Sequence, residues 1–436
     1  MKLDKEIKRI LVVGSWAKEQ ITIENIKRNP DFEVFVYMST KNPAIMDISD
    51  GYKIGQLDDK EKIVDYAKKQ KIDIVLVTTA QPLSIGVVDA LEEEKIFVFG
   101  PSQKAAKLES DKAFTRQLMK KYKIDALPEF EVFDDRYKAI NYAENLDWEV
   151  AIKPIGLTEG LGVKIFGDQL KNQDDIVIYI HEIFDNKIGG DAKVLIEEKL
   201  EGKEFTIQCL VYGKNIITTP AVKDYKRLLP GDIGPNTASM GSYSENELLL
   251  PFMTEEDYLK AVNVISKTLE SFYKEIGEEC KGFLYGQFMK TDDGLKLVEY
   301  NFRPGDPEWL NTLQIMENNL IDVIKNLEKD VQKPLNFSRK ATVCKYIVPK
   351  EYPVLLDQIL DVKFDSLKIN ELGVDFYFSS GLDDKGNLNV GSERGIAFVS
   401  KADTISKANE FVEKAISMVE GEFHYREDIG DLEMMK

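Results

Sequence analysis

Over the first hundred residues, apolar runs of strand length alternate with segments of helical period. Residues 10–13 (Ile-Leu-Val-Val) read as a buried strand ending at Gly14, with a helix through 21–26. Residues 32–38, 72–77 and 96–99 read as further strands, with helical patterns over 60–71 and 85–94. Strands and helices in alternation predict a parallel α/β unit over 1–100. Ligands of such a unit sit beyond the carboxyl ends of its strands, here near 14–19 and 78–83.

After Gly100-Pro101-Ser102 the pattern changes. Residues 110–122 predict a capped amphipathic helix carrying Lys112. A small region over 123–190 includes a strand at 149–153 and the glycine-containing loop 154–162. Strands at 193–200 and 205–210 flank Glu201-Gly202-Lys203-Glu204. The polar stretch 223–243 reads as a loop, and loops of that length inside a compact domain usually carry function. A helix over 259–274 leads to two strands joined at Thr291-Asp292-Asp293-Gly294, because Asp-Gly between apolar runs signals a hairpin. A helix over 310–326 follows. Past residue 334 the chain reads as short strands at 341–348, 374–379 and 396–399 with a helix at 405–418. The expected division is 1–100, 101–333 with a small lid subdomain over about 123–190, and a C-terminal α+β domain over 334–436.

A chain of 436 residues is too long for one small core and agrees with about three domains. The net charge of −18 argues against a nucleic-acid-binding surface. An anionic substrate must then be held by local Lys, Arg and backbone N–H groups. Cys209, Cys280 and Cys344 are few, odd in number and far apart, which points to a reducing, cytoplasmic setting. His181 and His424 are the only histidines, so a histidine base is a poor centre for the chemistry. The N-terminal stretch has neither a signal-peptide nor a membrane-spanning pattern. Gly14 is followed by no second or third glycine at dinucleotide spacing, which argues against NAD.

The candidate chemistry gathers at four places. Glu299 and Asn301 leave the same face of a strand and offer hard oxygen ligands for Mg²⁺ carried on nucleotide phosphates. Arg303 follows, a cationic fork for carboxylate or phosphate. Lys153 ends an apolar strand before Gly156, Gly160 and Gly162, a loop able to lay N–H groups on phosphate oxygens. Some forty residues on, an extended segment with Glu197, Glu198 and Leu200 precedes Glu204, whose carboxylate would accept ribose hydroxyls.

This order resembles the ATP-grasp superfamily of carboxylate–amine ligases, and nearly the whole chain resembles the glycinamide ribonucleotide synthetase (phosphoribosylamine–glycine ligase) family. The match is carried by 82–91, 99–119, 223–244, 282–289 and 299–308, and by Tyr425-Arg426-Glu427-Asp428-Ile429-Gly430 near the end. Its most specific run is Gly231-Asp232-Ile233-Gly234-Pro235-Asn236-Thr237. The resemblance implies a pre-ATP-grasp α/β domain, an ATP-grasp core with a mobile small subdomain, and the α+β domain. It implies ATP and Mg²⁺ (or Mn²⁺) as cofactors, with small-molecule amino-acid and amine substrates. It gives no nucleic-acid or membrane partner, and a monomer or small homo-oligomer.

By the same resemblance Lys112 and Lys153, with Gly160 and Gly162, would hold ATP phosphates. Glu197, Glu198 and Leu200 would frame the adenine and Glu204 the ribose, while Glu299 and Asn301, joined by Gln287, would bind the metal. Arg303, with Asp224, Lys226 and Arg227 and the 235–241 loop, would surround the amino-acid carboxylate and the transferring phosphoryl. Asn236, Thr237, Met240, Gly241, Asp306 and Arg394 would complete the substrate site. The family reaction activates glycine as an acyl phosphate for attack by phosphoribosylamine.

The departures cluster. The family's Gly-Asn-Gly-Gly-Arg-Glu-His is here Gly14-Ser15-Trp16-Ala17-Lys18-Glu19-Gln20, and its Gly-Pro-Glu is Thr78-Thr79-Ala80. The lid's usual Lys is Leu161, and Gly-Gly-Met-Gly is Ala238-Ser239-Met240-Gly241. Three readings stay open: the family reaction, a paralogous ligase with another amine or amino acid, and a nucleotide-binding regulatory protein without turnover.

Overall fold

The computed structural model describes residues 6–156, 162–331, 333–354, 358–391 and 393–431. Five parallel strands open it, in the order Gly51–Ile54, Glu33–Met38, Arg9–Val13, Ile74–Val77, Phe97–Phe99. Arg9–Val13 lies in the middle, and residues 10–13 are fully buried because both faces of the sheet are covered. Gly51–Ile54 escaped the sequence reading because it is a half-exposed edge strand with little apolar content.

Helix Ala17–Lys27 leaves the central strand and is buried on nearly every side, so its sequence carries no clean apolar stripe. Its polar side chains bond to later parts of the chain instead. Gln20 donates to Phe376 O at 3.1 Å and accepts from Phe378 N at 3.0 Å. Thr22 Oγ1 accepts from Trp309 Nε1 at 3.0 Å, and Asn25 Nδ2 donates to Asn318 O at 3.1 Å. These bonds seat the N-terminal unit on the rest of the molecule.

A small antiparallel sheet follows, in the order Phe130–Phe133, Val194–Glu198, Val150–Pro154, Lys164–Ile165. Helices Arg136–Asn145 and Gln173–Asn186 cover it, and Ile152, Ile176, Ile180 and Ile196 belong to an apolar core of its own. A second antiparallel sheet runs Asn215–Thr218, Lys203–Tyr212, Lys281–Thr291, Gly294–Asn301. Its last two strands turn where Asp-Gly predicts: Thr291 pairs with Gly294, whose φ of +109° suits glycine. Gln287 pairs with Glu299 but Phe288 with Leu297, so Val298 is the extra residue of a bulge.

The third sheet runs Lys223–Asp224, Gly241–Ser244, Ala341–Ile347, Ile396–Ala402, Val374–Phe378, antiparallel throughout. Strands past residue 334 thus extend a sheet that residues 223–244 begin. The stretch 223–243, read as a loop, holds the short strands Lys223–Asp224, Arg227–Leu229 and Ile233–Asn236 and the start of Gly241–Ser244. They are too short for an alternating pattern to show. The helix expected over 310–326 is two, Glu308–Ile315 and Leu320–Glu328. The break comes where Met316 bridges to Phe337 and Asn319 caps the second helix, accepting from Ile321 N at 3.0 Å. Among the described residues, no helix is long and apolar enough to cross a membrane.

Candidate functional site

The second sheet presents Glu204, Gln287, Glu299 and Asn301 together, because Gln287 pairs with Glu299 on one side and with Thr206 on the other. Gln287 Nε2 donates to Glu204, and its Oε1 accepts from Lys226 Nζ at 2.7 Å. Asn301 Nδ2 donates to Glu299 Oε1 at 3.1 Å, and Arg303 NH2 donates to Asn301 Oδ1 at 3.3 Å. Arg303 is held from behind by Glu109, 3.2 Å from its Nε. Burial pushes the Glu299 carboxyl up, but Lys226, Lys112, the Asn301 amide and Lys153 outweigh it and hold the group below its ordinary value.

Lys112 starts helix Lys112–Lys121 behind its Asp111 cap, and its Nζ donates to Gly156 O at 2.8 Å, at the foot of the glycine loop. Burial lowers the pKa of its ammonium against the pull of Glu299. Gly162 O accepts from Tyr179 OH at 2.5 Å, whereas Gly160 lies outside the described residues. Lys153 Nζ is 2.6 Å from Glu197 Oε2, and Arg116 Nε is 2.5 Å from Glu197 Oε1. The bulge at Val298 supplies the remaining acceptors: Arg116 NH2 reaches Leu297 O at 3.0 Å and Val298 O at 2.8 Å.

Glu197 and Glu198 are strand neighbours and so leave opposite faces. The Glu197 carboxylate is buried between Arg116 and Lys153, which hold it below its ordinary pKa against the burial that would raise it. Glu198 is tied at 2.9 Å to both Lys296 Nζ and Glu129 N. With Leu200 and the hairpin tip 291–293, Glu198 lines a cleft of about 440 Å³ whose walls are mostly charged, poor surroundings for a purine ring. Both carboxylates are thus held by partners within the chain, Glu197 by Arg116 and Lys153 and Glu198 by Lys296 and the Glu129 N–H.

The residues of the 223–243 stretch divide. Lys226 lies among Glu204, Asp224, Glu299 and Glu308, which raise its pKa against burial. Asp224 is buried and its carboxyl is raised by desolvation, with Lys226 opposing and Glu204 adding. Arg227 turns away from this group and pairs with Asp168 of the small sheet's unit while donating to Gly234 O at 3.0 Å. Asn236 pairs with Arg227 across the strands, and Thr237 Oγ1 donates to Lys226 O at 2.8 Å. Met240 is fully buried, and a Cβ on Gly241 would strike Cys344 O, so both pack closely within the third sheet.

Arg394 is also structural in its contacts. Its NH1 donates to Ala238 O and, at 2.8 Å, to Asp306 O, and its NH2 lies 3.1 Å from Asp306 Oδ1. Sequence reasoning missed Arg116, Glu109 and Glu308. Arg116 sits at the buried face of helix Lys112–Lys121, a charge where the apolar period calls for none. Glu308 opens helix Glu308–Ile315, accepts from Tyr285 OH at 2.9 Å, and is pushed up to about 7 by burial and by Asp224.

At the strand ends of the N-terminal unit, Glu19 folds back over Gly14, where a Cβ would lie 2.5 Å from its carboxyl carbon. Glu19 accepts from Trp16 N and Thr78 Oγ1, each at 2.7 Å. Lys18, nearly buried, has its pKa lowered by burial and faces Glu19, Arg303, Asp306 and Glu393. The replaced segments 14–20 and 78–80 therefore border the same center as the hairpin.

Among the described residues, no three His, Cys, Asp or Glu side chains gather as a metal cage. Glu299 and Asn301 supply two hard oxygens, the number suited to Mg²⁺ that keeps most of its shell as phosphate and water oxygens. They fit such an ion. The Gln287 oxygen accepts from the Lys226 ammonium as the Asn301 oxygen accepts from Arg303, so each would exchange a cationic donor for such an ion.

Two family models match consecutive stretches: the phosphoribosylglycinamide synthetase N domain over residues 8–109 and its ATP-grasp (A) domain over 110–309. Phosphoribosylamine–glycine ligases of Methanopyrus kandleri and Methanocaldococcus jannaschii are 42% and 39% identical, each covering 98% of this chain and 97% of the relative. The crystal structure of the phosphoribosylamine–glycine ligase of Thermotoga maritima superposes with a TM-score of 0.80 at 24% identity, over 96% of this chain and 99% of that one. The biotin carboxylase domain of the Hydrogenobacter thermophilus 2-oxoglutarate carboxylase, in complex with MgADP, gives 0.72 at 17% identity, over 96% and 92%. The last two likenesses concern the fold.

Proposed function

The chain belongs to the phosphoribosylglycinamide synthetase family, and on that premise we propose that it is a ligase joining glycine to phosphoribosylamine, with ATP converted to ADP and phosphate. The observation that supports this most is the convergence of Lys226, Lys112 and Lys153 on the Glu299 carboxylate, beside Arg303. Such a cluster suits phosphoryl transfer, where positioning and charge neutralisation supply most of the catalysis.

In this reading ATP lies between the small sheet and the hairpin, its phosphates on Lys112 and Lys153 and its ribose on Glu204. Glu197 and Arg116 act indirectly by fixing Lys153. A glycine carboxylate oxygen attacks the γ-phosphoryl, giving an acyl phosphate and ADP. The amine of phosphoribosylamine then attacks the acyl carbon, the C–N bond forms, phosphate leaves, and the amine gives up a proton. Arg303 and Lys226 hold the reacting carboxylate and phosphoryl oxygens. Mg²⁺ or Mn²⁺, held by Glu299 and Asn301, would supply further neutralisation of phosphate charge. The acceptor would enter from the strand ends at 14–20 and 78–80, with Lys18 as the cation there. The unit built on the small antiparallel sheet would cover the site and keep water from the acyl phosphate.

The protein would work on small molecules in the cytoplasm, in keeping with three free, buried cysteines. Incubation with ATP, Mg²⁺, glycine and phosphoribosylamine generated in situ tests the reading: glycinamide ribonucleotide detected by mass supports it. The altered strand ends favour, as a second reading, another acceptor amine. ATP-dependent product from a different amine alone would establish that one.

A further inference from the structure

Helix Lys112–Lys121 and the short helix Lys107–Ser110 before it anchor the second strand of the hairpin at two points. Arg116 NH2 donates to Leu297 O at 3.0 Å and to Val298 O at 2.8 Å. Glu109 takes the other end: its Oε2 accepts from Phe302 N at 2.8 Å, and its Oε1 lies 3.2 Å from Arg303 Nε. Glu299 and Asn301 lie between these anchors. Lys112 lies between Glu109 and Arg116 in the chain, and its ammonium is a charge neighbour of Glu299. The lysine assigned to the ATP phosphates and the arginine assigned to the reacting carboxylate are therefore referred to the same few residues.

Glu109 is 9% exposed, and its neighbours Ala105, Ala106 and Leu108 are buried apolar side chains. An ion pair buried in this way adds little net stability over an apolar contact of the same size, so docking the loop does not by itself account for a charge here. Placing a guanidinium does. Arg303 turns its Nε to Glu109, while NH2 reaches Asn301 Oδ1 at 3.3 Å and NH1 reaches Pro304 O at 3.2 Å. Each terminal nitrogen carries a second N–H, and such a pair suits two oxygens of a carboxylate or phosphoryl group. Burial lowers the Arg303 pKa, but Glu109, followed by Glu299, Tyr285 and Glu308, holds it above its ordinary value.

We infer that Glu109 is a positioning residue for the phosphoryl-transfer step, setting the Arg303 fork against Lys112 so that the carboxylate on one and the γ-phosphoryl on the other meet in line. The assignment rests on the ligase reading above. Glu109 touches neither substrate and acts through Arg303.

The test measures glycine-dependent ADP release by the full chain, with phosphoribosylamine present, for Glu109→Gln, Glu109→Asp, Arg303→Lys and the double variant Glu109→Gln/Arg303→Lys. Glu109→Gln keeps an oxygen for Phe302 N but sets an uncharged amide against Arg303 Nε. It should lower kcat by about a hundredfold, the cost of a displacement of roughly 1 Å, with KM for ATP changed less than about twofold. Glu109→Asp, which returns the charge, should bring kcat to within about tenfold of wild type. Because Glu109 acts through Arg303, adding Glu109→Gln to Arg303→Lys should cost less than about threefold more. Glu109→Met fills the same space without a charge and replaces Glu109→Gln throughout if that variant does not fold. Two losses that multiply in full in the double variant overturn the assignment, as does Glu109→Asp no better than the uncharged variant. An uncharged variant with the kcat of wild type overturns it too. A wild type with no glycine-dependent ADP release overturns the ligase reading, and the assignment with it.

Discussion

The Lys153 ammonium and the Glu197 carboxylate meet at 2.6 Å inside the small unit, with Arg116 on the other oxygen. All three side chains are nearly excluded from water. Removing the shared anion leaves two buried cations. Glu197→Gln is expected to lower stability by about 3 kcal/mol and to raise KM for ATP as Lys153 loses its fixed position. Urea denaturation and ATP titration of turnover check both. Unchanged stability would contradict the triad as drawn.

Arg227 and Asp168 join the 223–243 stretch to the small unit. On the same stretch, Arg426 donates to Arg227 O at 3.0 Å and lies 2.7 Å from Asp232, while Asp428 accepts from Gly231 N at 3.0 Å. One side of the contact is therefore anchored to the chain's end. If the pair holds the cover over the acyl phosphate, Asp168→Asn should lower kcat by about tenfold and raise ATP hydrolysis uncoupled from product. The exchange Asp168→Arg with Arg227→Asp should restore coupling. ADP-to-product ratios decide it.

Lys226, Lys112 and Lys153 all act on the Glu299 carboxylate and help hold it below its ordinary pKa. Glu299→Ala should cut Mg²⁺-dependent turnover by about a thousandfold with the circular dichroism spectrum unchanged. Turnover close to wild type would remove Glu299 from the centre of the site.

Burial raises the pKa of the Glu19 carboxyl to about 7, against the opposing effects of Lys18, Thr78 and Trp16. A folded-state pKa above the unfolded 4.5 means that the native state binds more protons between those values. Stability should therefore fall as pH rises from 4.5 to 7 and level off above. Glu19→Gln, which keeps one acceptor oxygen for Trp16 N while Thr78 Oγ1 can still donate to Val13 O, should remove up to about 3 kcal/mol of that slope. Denaturation midpoints taken across this range would show it, and an unaltered slope would count against a buried Glu19.

What could be read from the sequence was what local chemistry decides. The Asp-Gly turn at 293–294, the Asp111 cap and the period-two placement of Glu299 and Asn301 each depend on a few adjacent residues. Long-range partners were out of reach. Nothing near Glu197 in the chain says that Arg116, eighty-one positions earlier, occupies its carboxylate. The same holds for Arg394, whose guanidinium reaches carbonyls of residues 238 and 306. Helix Ala17–Lys27 was only partly legible, since an element buried on all sides shows no stripe. Residues 223–243 were read as a loop because two- to four-residue strands carry too little pattern.

The central claim is that one site couples ATP to the joining of glycine and phosphoribosylamine. ADP release, measured with each of the three substrates omitted in turn, tests it most directly. The account predicts ADP and glycinamide ribonucleotide in equal amounts when all three are present, and little of either when glycine or phosphoribosylamine is left out. Sustained ADP release that ignores both, or none with all three, would contradict it.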